Sequence, residues 1–400
     1  MNQKFLSIVI PAFNEEEHIS RVLDQVLSSR PAILQNTQFD ELEIVVVNDG
    51  SVDRTQEEIK KRANENVSVV RHEINLGYGA ALKTGFETAR GNYLAFMDAD
   101  GTIDPMSFVD MANEMMAQDA DMVVGKRFGT RESGMPKVRK LGNYFFAYLL
   151  SFLAGEKVED TASGVRIFKK NVLHQLYPLP DGLHFTPAMS SKALHEKIKM
   201  CEVPVSYAQR SGQSKLNAVT DGLRFLRIIL ETVLIYNPFK VFLYLGTLSI
   251  LFASLLMLQP VMVYLANQDV LFSDYIYRSI AALYFLVGGV QVILFGILAR
   301  FLVSTFFQHY ETSAWIHRIN KHLKVYQYMN YYGFLVLGLG LMINGMYFGQ
   351  YLLSKSFSFH WSWLMLGAAL ILIGVQTMIS GLLIKMITQI KNVMTHRKRV

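Results

Sequence analysis

Cysteine is all but missing from this 400-residue chain: Cys201 stands alone, so no disulfide can form within it. A single thiol fits a reducing compartment. No cysteine–histidine knuckle and no aromatic–basic RNA-binding run accompanies the net charge of +6, so no nucleic-acid partner is expected. The positive residues gather beside apolar runs, and that points to a membrane surface. No cleavable leader is expected, because Met1–Lys4 leads straight into a short strand-like run. Acidic and basic residues are also missing from the interiors of four long apolar stretches.

Those stretches are Phe239–Leu265, Ser279–Val303, Tyr331–Leu353 and Trp361–Ile384. Each is about 23–27 residues, enough to cross a hydrocarbon core of about 30 Å. Lys240, Arg278, Arg300 and Lys385 fall at their edges. The loop from Ala266 to Tyr277 carries Asp269 and Asp274 but no Lys or Arg, whereas Arg318, Lys321 and Lys324 occupy the middle loop and Lys391, Arg397, Lys398 and Arg399 the tail. By the positive-inside rule the amino-terminal domain, the middle loop and both termini face the cytoplasm. The spans read as an anchor that also holds lipid; a transport path would need ionisable groups or broken helices inside the membrane.

The first half alternates strand-like runs with amphipathic stretches. Strands are expected at Phe5–Ile10, Glu43–Val47, Val67–Arg71, Tyr93–Met97 and Met122–Gly125, and helices at Glu15–Ser28, Arg54–Ala63, Ala80–Ala89 and Pro105–Ala117. This order predicts a mostly parallel, doubly wound sheet. Polar motifs follow the first four strands: Pro11-Ala-Phe-Asn-Glu15, Asn48-Asp49-Gly50-Ser51, Asn75-Leu-Gly77 and Asp98-Ala-Asp100. Ligands of open α/β sheets bind at the carboxyl ends of strands. Each motif alone also serves as a turn or helix cap; four converging on one edge make a site. Asp98 and Asp100 can share a hard divalent cation with a substrate diphosphate, and Mg²⁺ or Mn²⁺ suits that donor set.

Taken together, "IVIPAFNEEE" at 8–17, "VVVNDGSVDRT" at 45–55, "NLGYGAALKTGFETARG" at 75–91 and "FMDADGTIDP" at 96–105 resemble the family-2 glycosyltransferases. "GKRF" at 125–128, "DTASGVRIF" at 160–168 and "QRSGQSKL" at 209–216 resemble its polyprenyl-phosphate branch, which includes dolichyl-phosphate mannose synthase. The resemblance implies an α/β domain of GT-A type over residues 1–218, an interfacial or juxtamembrane helix over 219–238, and an all-α membrane domain of four transmembrane helices over 239–400. It assigns Pro11, Ala12, Glu15 and Asp49 to the nucleotide, Asp98 and Asp100 to the cation, and Arg127 and Arg210 to phosphates, with Ser214 and Lys215 in the same phosphate loop. Asp100, Arg127 and Arg210 are the expected catalytic groups. Arg139, with Lys140, is placed nearest the acceptor. Thr102 departs from the pattern, standing where some relatives carry a glutamine near the metal.

The implied reaction is inverting transfer of a sugar from a nucleotide-diphosphate sugar to a membrane polyprenyl phosphate. An acceptor phosphate arrives ionised, so no general base is required, and "GLHFTPAMSSKAL" at 182–194 carries no carboxylate. Two stretches, Gly142–Ala154 and Val219–Tyr236, read as helices lying on the cytoplasmic leaflet. The expected setting is a multi-pass protein of a bacterial inner membrane, with membrane lipids as partners and a homo-oligomer left open. Competing readings are a transferase acting on a lipid hydroxyl or growing glycan, and a non-catalytic scaffold or lipid translocator. A processive polysaccharide synthase is disfavoured, because no Gln-x-x-Arg-Trp run occurs.

Overall fold

The computed structural model describes residues 3–63, 66–127, 137–154, 157–208, 218–266, 272–306, 324–355 and 361–397. Two compact units divide the chain, Met1–Val233 and Leu234–Val400.

The first unit is built on seven strands: β1 (Phe5–Ala12), β2 (Glu41–Asp49), β3 (Val67–His72), β4 (Tyr93–Phe96), β5 (Met122–Lys126), β6 (Arg166–Lys169) and β7 (Met200–Pro204). Their order is β3-β2-β1-β4-β6-β5-β7. Strands β3, β2, β1 and β4 run parallel, β6 lies antiparallel between β4 and β5, and β7 is parallel to β5. Strands β6 and β7 were not expected from the sequence pattern. Helices α1 (Ile19–Asn36), α2 (Thr55–Lys60), α3 (Tyr78–Thr88), α4 (Ser107–Ala117), α5 (Lys137–Ala154), α6 (Leu173–Leu176), α7 (Phe185–His195) and α8 (Ala218–Tyr236) complete it. Helix α1 starts four residues later than expected and continues through Pro31 to Asn36.

Both faces of the sheet are covered, which is why β1 to β5 read as apolar runs. Successive side chains alternate between two cores. Leu6, Ile8 and Ile10 of β1 join Val22, Leu23, Phe108 and Met111 on one face, while Val9 joins Val45, Leu82, Phe86, Phe96, Phe168 and Phe185 on the other.

Helices α5 and α8 are both amphipathic. Helix α5 buries Asn143, Ala147 and Leu150 but exposes Leu141, Tyr144, Phe145, Tyr148 and Phe152. Helix α8 buries Ile229 and Val233, and its Phe225 ring packs edge-on against Phe146 at 5.9 Å.

The second unit contains α9 (Pro238–Leu265), α10 (Phe272–Phe306), α11 (Val325–Ser354) and α12 (Ser362–Arg397). Each carries an apolar run of 26 to 32 residues, long enough to cross a membrane. Helix α10 runs past the expected span at both ends, so Arg300 stands six residues before its last residue. It is 2% exposed, with its guanidinium 5.7 Å from the Phe239 ring. Close backbone approach joins the helices in pairs. A Cβ at Gly374 of α12 would stand 2.5 Å from the Leu337 nitrogen of α11, and those at Gly367 and Gly381 would strike the Asn344 and Asn330 side chains. These contacts recur every seven residues on both helices, the period of an antiparallel helix seam. Gly246 and Gly289 bring α9 and α10 together in the same way.

Candidate active site

The first two strand-end loops lock to each other. Asn14, in the left-handed region at φ 50°, donates its N–H to Ser51 Oγ (3.0 Å) and accepts from the Val52 N–H through Oδ1 (3.0 Å). The Glu15 N–H donates to Thr55 Oγ1 at 2.8 Å, and the Glu15 carboxylate lies 3.3 Å from His18 Nδ1. Pro11 and Ala12 finish β1 in register with Val47 and Asn48. All four sequence-assigned nucleotide residues, Pro11, Ala12, Glu15 and Asp49, are therefore buried on one sheet edge.

Asp49 organises the third loop. Its carboxylate accepts from the N–H groups of Leu76 and Gly77 at 2.9 Å each, and His72 Nδ1 lies 2.7 Å away. The other His72 nitrogen is 2.9 Å from Thr84 Oγ1. A sequence motif assigned to a ligand thus also holds the loop that opens α3. The first turn of that helix is closed by Asp181, whose carbonyl accepts from the Gly79 and Ala80 N–H groups at 2.6 and 3.1 Å.

Asp98 and Asp100 follow β4 on the same edge. The Tyr78 hydroxyl donates to Asp98 Oδ1 at 2.8 Å. On the other side Asp98 meets backbone: a Cβ at Gly164 would collide with Asp98 Oδ2. Thr102 donates its hydroxyl (2.7 Å) and its N–H (3.1 Å) to Asp100 Oδ1, a role the sequence did not reveal. Burial and the adjacent Asp98 carboxylate hold the Tyr78 phenol well above its ordinary range, so it stays a donor.

Arg127, just past β5, forms a bidentate pair with Asp160, Nε to Oδ2 and Nη2 to Oδ1 at 2.9 Å each. Its side chain is 14% exposed and the Asp160 side chain fully buried, unlike a surface ion pair. Burial opposes the guanidinium charge, but Asp160 prevails and holds it above its ordinary range. Asp160 is fixed in turn by Glu202 of β7, which accepts from the Glu159 and Asp160 N–H groups at 2.9 Å. The Tyr207 ring lies 5.7 Å from the Arg127 guanidinium, and the Ala208 N–H donates to the Thr102 carbonyl at 2.8 Å. Ala208 is therefore held beside the Asp98–Asp100 loop. Arg210, Ser214 and Lys215 lie outside the described residues, as does the Arg139 side chain; Lys140 is half-buried on α5.

Among the described residues Arg166 is one of the largest fully buried side chains. Its Nη2 donates to the carbonyls of Thr161 and Thr186 (3.0 Å each) and to Ser190 Oγ (2.8 Å). Burial lowers its pKa to about 10. Asp160, Arg166, Tyr78, Tyr207 and Glu202 were not singled out from sequence. Asp160 and Arg166 carried a signal inside "DTASGVRIF", as did Tyr78 inside "NLGYGAALKTGFETARG"; Tyr207 and Glu202 carried none.

Among the described residues no three His, Cys, Asp or Glu side chains gather closely enough to cage a metal. Two carboxylates on one loop nevertheless fit a hard cation of the Mg²⁺ type, which takes one or two carboxylates and completes its shell from water and substrate phosphates.

Comparison with known proteins places this geometry. Residues 7–177 match the family described as Glycosyl transferase family 2, and residues 238–397 match a Domain of unknown function (DUF8752). The chain is 30% identical over 237 residues to the dolichyl-phosphate hexose transferase of Haloferax volcanii, covering 57% of this chain and 94% of that protein. Low-salt glycan biosynthesis hexosyltransferase Agl6 of the same organism is 33% identical over 228 residues, and the chain spans only 53% of that relative's length. Dodecaprenyl-phosphate galacturonate synthase of Rhizobium johnstonii is 27% identical, covering 76% of this chain and 89% of that protein. The chain belongs to glycosyl transferase family 2 and is a glycosyltransferase.

Proposed function

We propose that the protein transfers a sugar from a nucleotide-diphosphate sugar to a membrane polyprenyl phosphate, with inversion, at the cytoplasmic leaflet. The observation that carries this reading is the gathering of Asp49, Asp98, Asp100 and the Arg127–Asp160 pair on one sheet edge of a chain that also holds four membrane-length helices. Two relatives named for polyprenyl-phosphate transfer match over most of their own length, which supports the acceptor class.

In this reading a phosphate oxygen of the acceptor forms the new bond to the anomeric carbon. The bond from that carbon to the nucleotide diphosphate breaks, and the diphosphate leaves with the electron pair. The acceptor phosphate is largely a dianion at neutral pH, its second pKa being about 6, so no residue is assigned as base. Asp98 and Asp100 would hold Mg²⁺ or Mn²⁺, which when bound neutralises charge on the leaving diphosphate. Arg127 adds a fixed positive charge whose orientation Asp160 sets in advance. Arg210, Ser214 and Lys215 are assigned to phosphates of donor or acceptor, and Arg139 to the acceptor. Glu15 and Asp49 are assigned to the nucleotide. The exposed aromatic face of α5 would rest on the leaflet and bring the site to the headgroups. The lysine- and arginine-rich middle loop and tail put both termini on the cytoplasmic side.

The test is direct. The detergent-purified chain is mixed with polyprenyl phosphate, a panel of nucleotide sugars, and Mg²⁺, Mn²⁺ or EDTA, and products are read by mass spectrometry. A metal-dependent lipid-phosphate sugar from one donor is expected. Glycosylation of diacylglycerol or a glycan instead, with polyprenyl phosphate untouched, would reject the acceptor assignment.

A further inference from the structure

We infer that Tyr78 and Thr102 are positioning residues that set the cation affinity of the Asp98–Asp100 pair. The inference rests on the reading of that pair as cation ligands. Each carboxylate receives a hydroxyl donor on its Oδ1, Tyr78 on Asp98 at 2.8 Å and Thr102 on Asp100 at 2.7 Å. The two hydroxyls come from different elements, the first residue of α3 and the turn after β4. Asp98 is confined from the opposite side as well, since its Oδ2 packs where a Gly164 side chain would have to be. The carboxylate is therefore caught between a phenol and a stretch of backbone.

The phenol itself is anchored. Gly77 donates to Asp49 Oδ2 at 2.9 Å, and Gly79 and Ala80 donate to the Asp181 carbonyl. Tyr78 stands between these fixed points, so a short path of hydrogen bonds runs from Asp49 on the nucleotide side to Asp98 on the cation side. Thr102 is 2% exposed, and its carbonyl accepts from the Ala208 N–H, which ties its backbone to the segment that follows β7. A ligand carboxylate already held in one rotamer loses less freedom when a cation binds. Outer-shell partners of metal ligands act in this way, and their loss weakens metal binding by about 10–100-fold.

The experiment titrates Mn²⁺ alone into the detergent-purified full chain and follows loss of the free-ion electron paramagnetic resonance signal. Tyr78→Phe and Thr102→Val are each expected to bind Mn²⁺ about tenfold more weakly than wild type, and Thr102→Ser to restore affinity to within about twofold. Asp98→Asn and Asp100→Asn should remove the bound ion. If the Asn variants lose Mn²⁺ but Tyr78→Phe and Thr102→Val both bind as wild type does, the hydroxyls only fill space and the inference is wrong. If the Asn variants also bind as wild type, the pair is no cation site, and this inference falls with that reading. Thermal unfolding checks each variant's fold, and either hydroxyl can be judged alone should the other variant fail to fold.

Discussion

The two units use glycine for opposite ends. In the sheet unit, Gly164 leaves room for the Asp98 carboxylate to lie against the backbone. In the helical unit, Gly367, Gly374 and Gly381 leave room for a neighbouring helix. What each glycine faces decides what its loss would cost. At Gly164 the obstacle is the tip of a side chain, which can swing away and take the site's geometry with it. At Gly374 the obstacle is the backbone of Leu337, which cannot. The wider packing follows the same division. Large apolar residues fill two closed cores around the sheet, whereas Phe334, Leu335, Leu341, Met346 and Phe348 of α11 point outward. Water drives side chains together in the first unit; in a bilayer no such force acts between helices, and close contact of small residues replaces it.

The largest expected effect is at the cation pair. Asp100→Asn should reduce sugar transfer by at least about 100-fold while circular dichroism stays unchanged. Full activity in this variant would remove Asp100 from the chemistry. Next come two matched substitutions that probe the contrast itself. Gly164→Ala should lower transfer by about 10–100-fold with little shift in the unfolding midpoint. Gly374→Ala should do the reverse, destabilising the detergent-solubilised protein by about 1–3 kcal/mol with modest change in transfer. Equal losses of stability in both variants would break the comparison.

A smaller effect concerns Cys201. Burial pushes its thiol to about 11, so maleimide should label the native chain slowly at pH 7.5 and rapidly after denaturation. Fast native labelling would show that β7 opens readily. Smallest of all is a pH effect at Glu159, whose carboxyl is held near 2 by Lys126 and Lys157 against an ordinary value of 4.5. A lowered folded-state pKa means stability that is present above pH 4.5 and lost as pH falls from there toward 2. Unfolding midpoints should drop across that window in wild type and drop less in Glu159→Gln.

How much of this was legible in the sequence differs by element. Strands β1 to β5 announced themselves because each is an apolar run. Strand β6 did not: it opens on Arg166, and a charged residue at its first position hides a four-residue strand. Strand β7 carries Cys201 and Glu202 at its centre, and Glu202 breaks the apolar run that would mark a strand. Missing β6 also hid what its antiparallel course accomplishes, since it returns the "DTASG" segment to the strand-end edge and sets Asp160 beside Arg127. The four membrane-length helices were plain from hydropathy, but Arg300, read as an edge residue near the end of its span, lies further inside the helix, because α10 extends to Phe306.

The sequence by itself determined the alternation of strand and helix, the polar loops at strand ends, and four membrane-length helices. These are local properties, written in the spacing of apolar residues along a few turns or one strand. Only the tertiary structure decided the partners: Tyr78 for Asp98, Asp160 for Arg127, Glu202 for the Asp160 backbone, and Leu337 for Gly374. Each pairing joins residues 20 or more positions apart, and contacts over such separations depend on how the sheet and helices close.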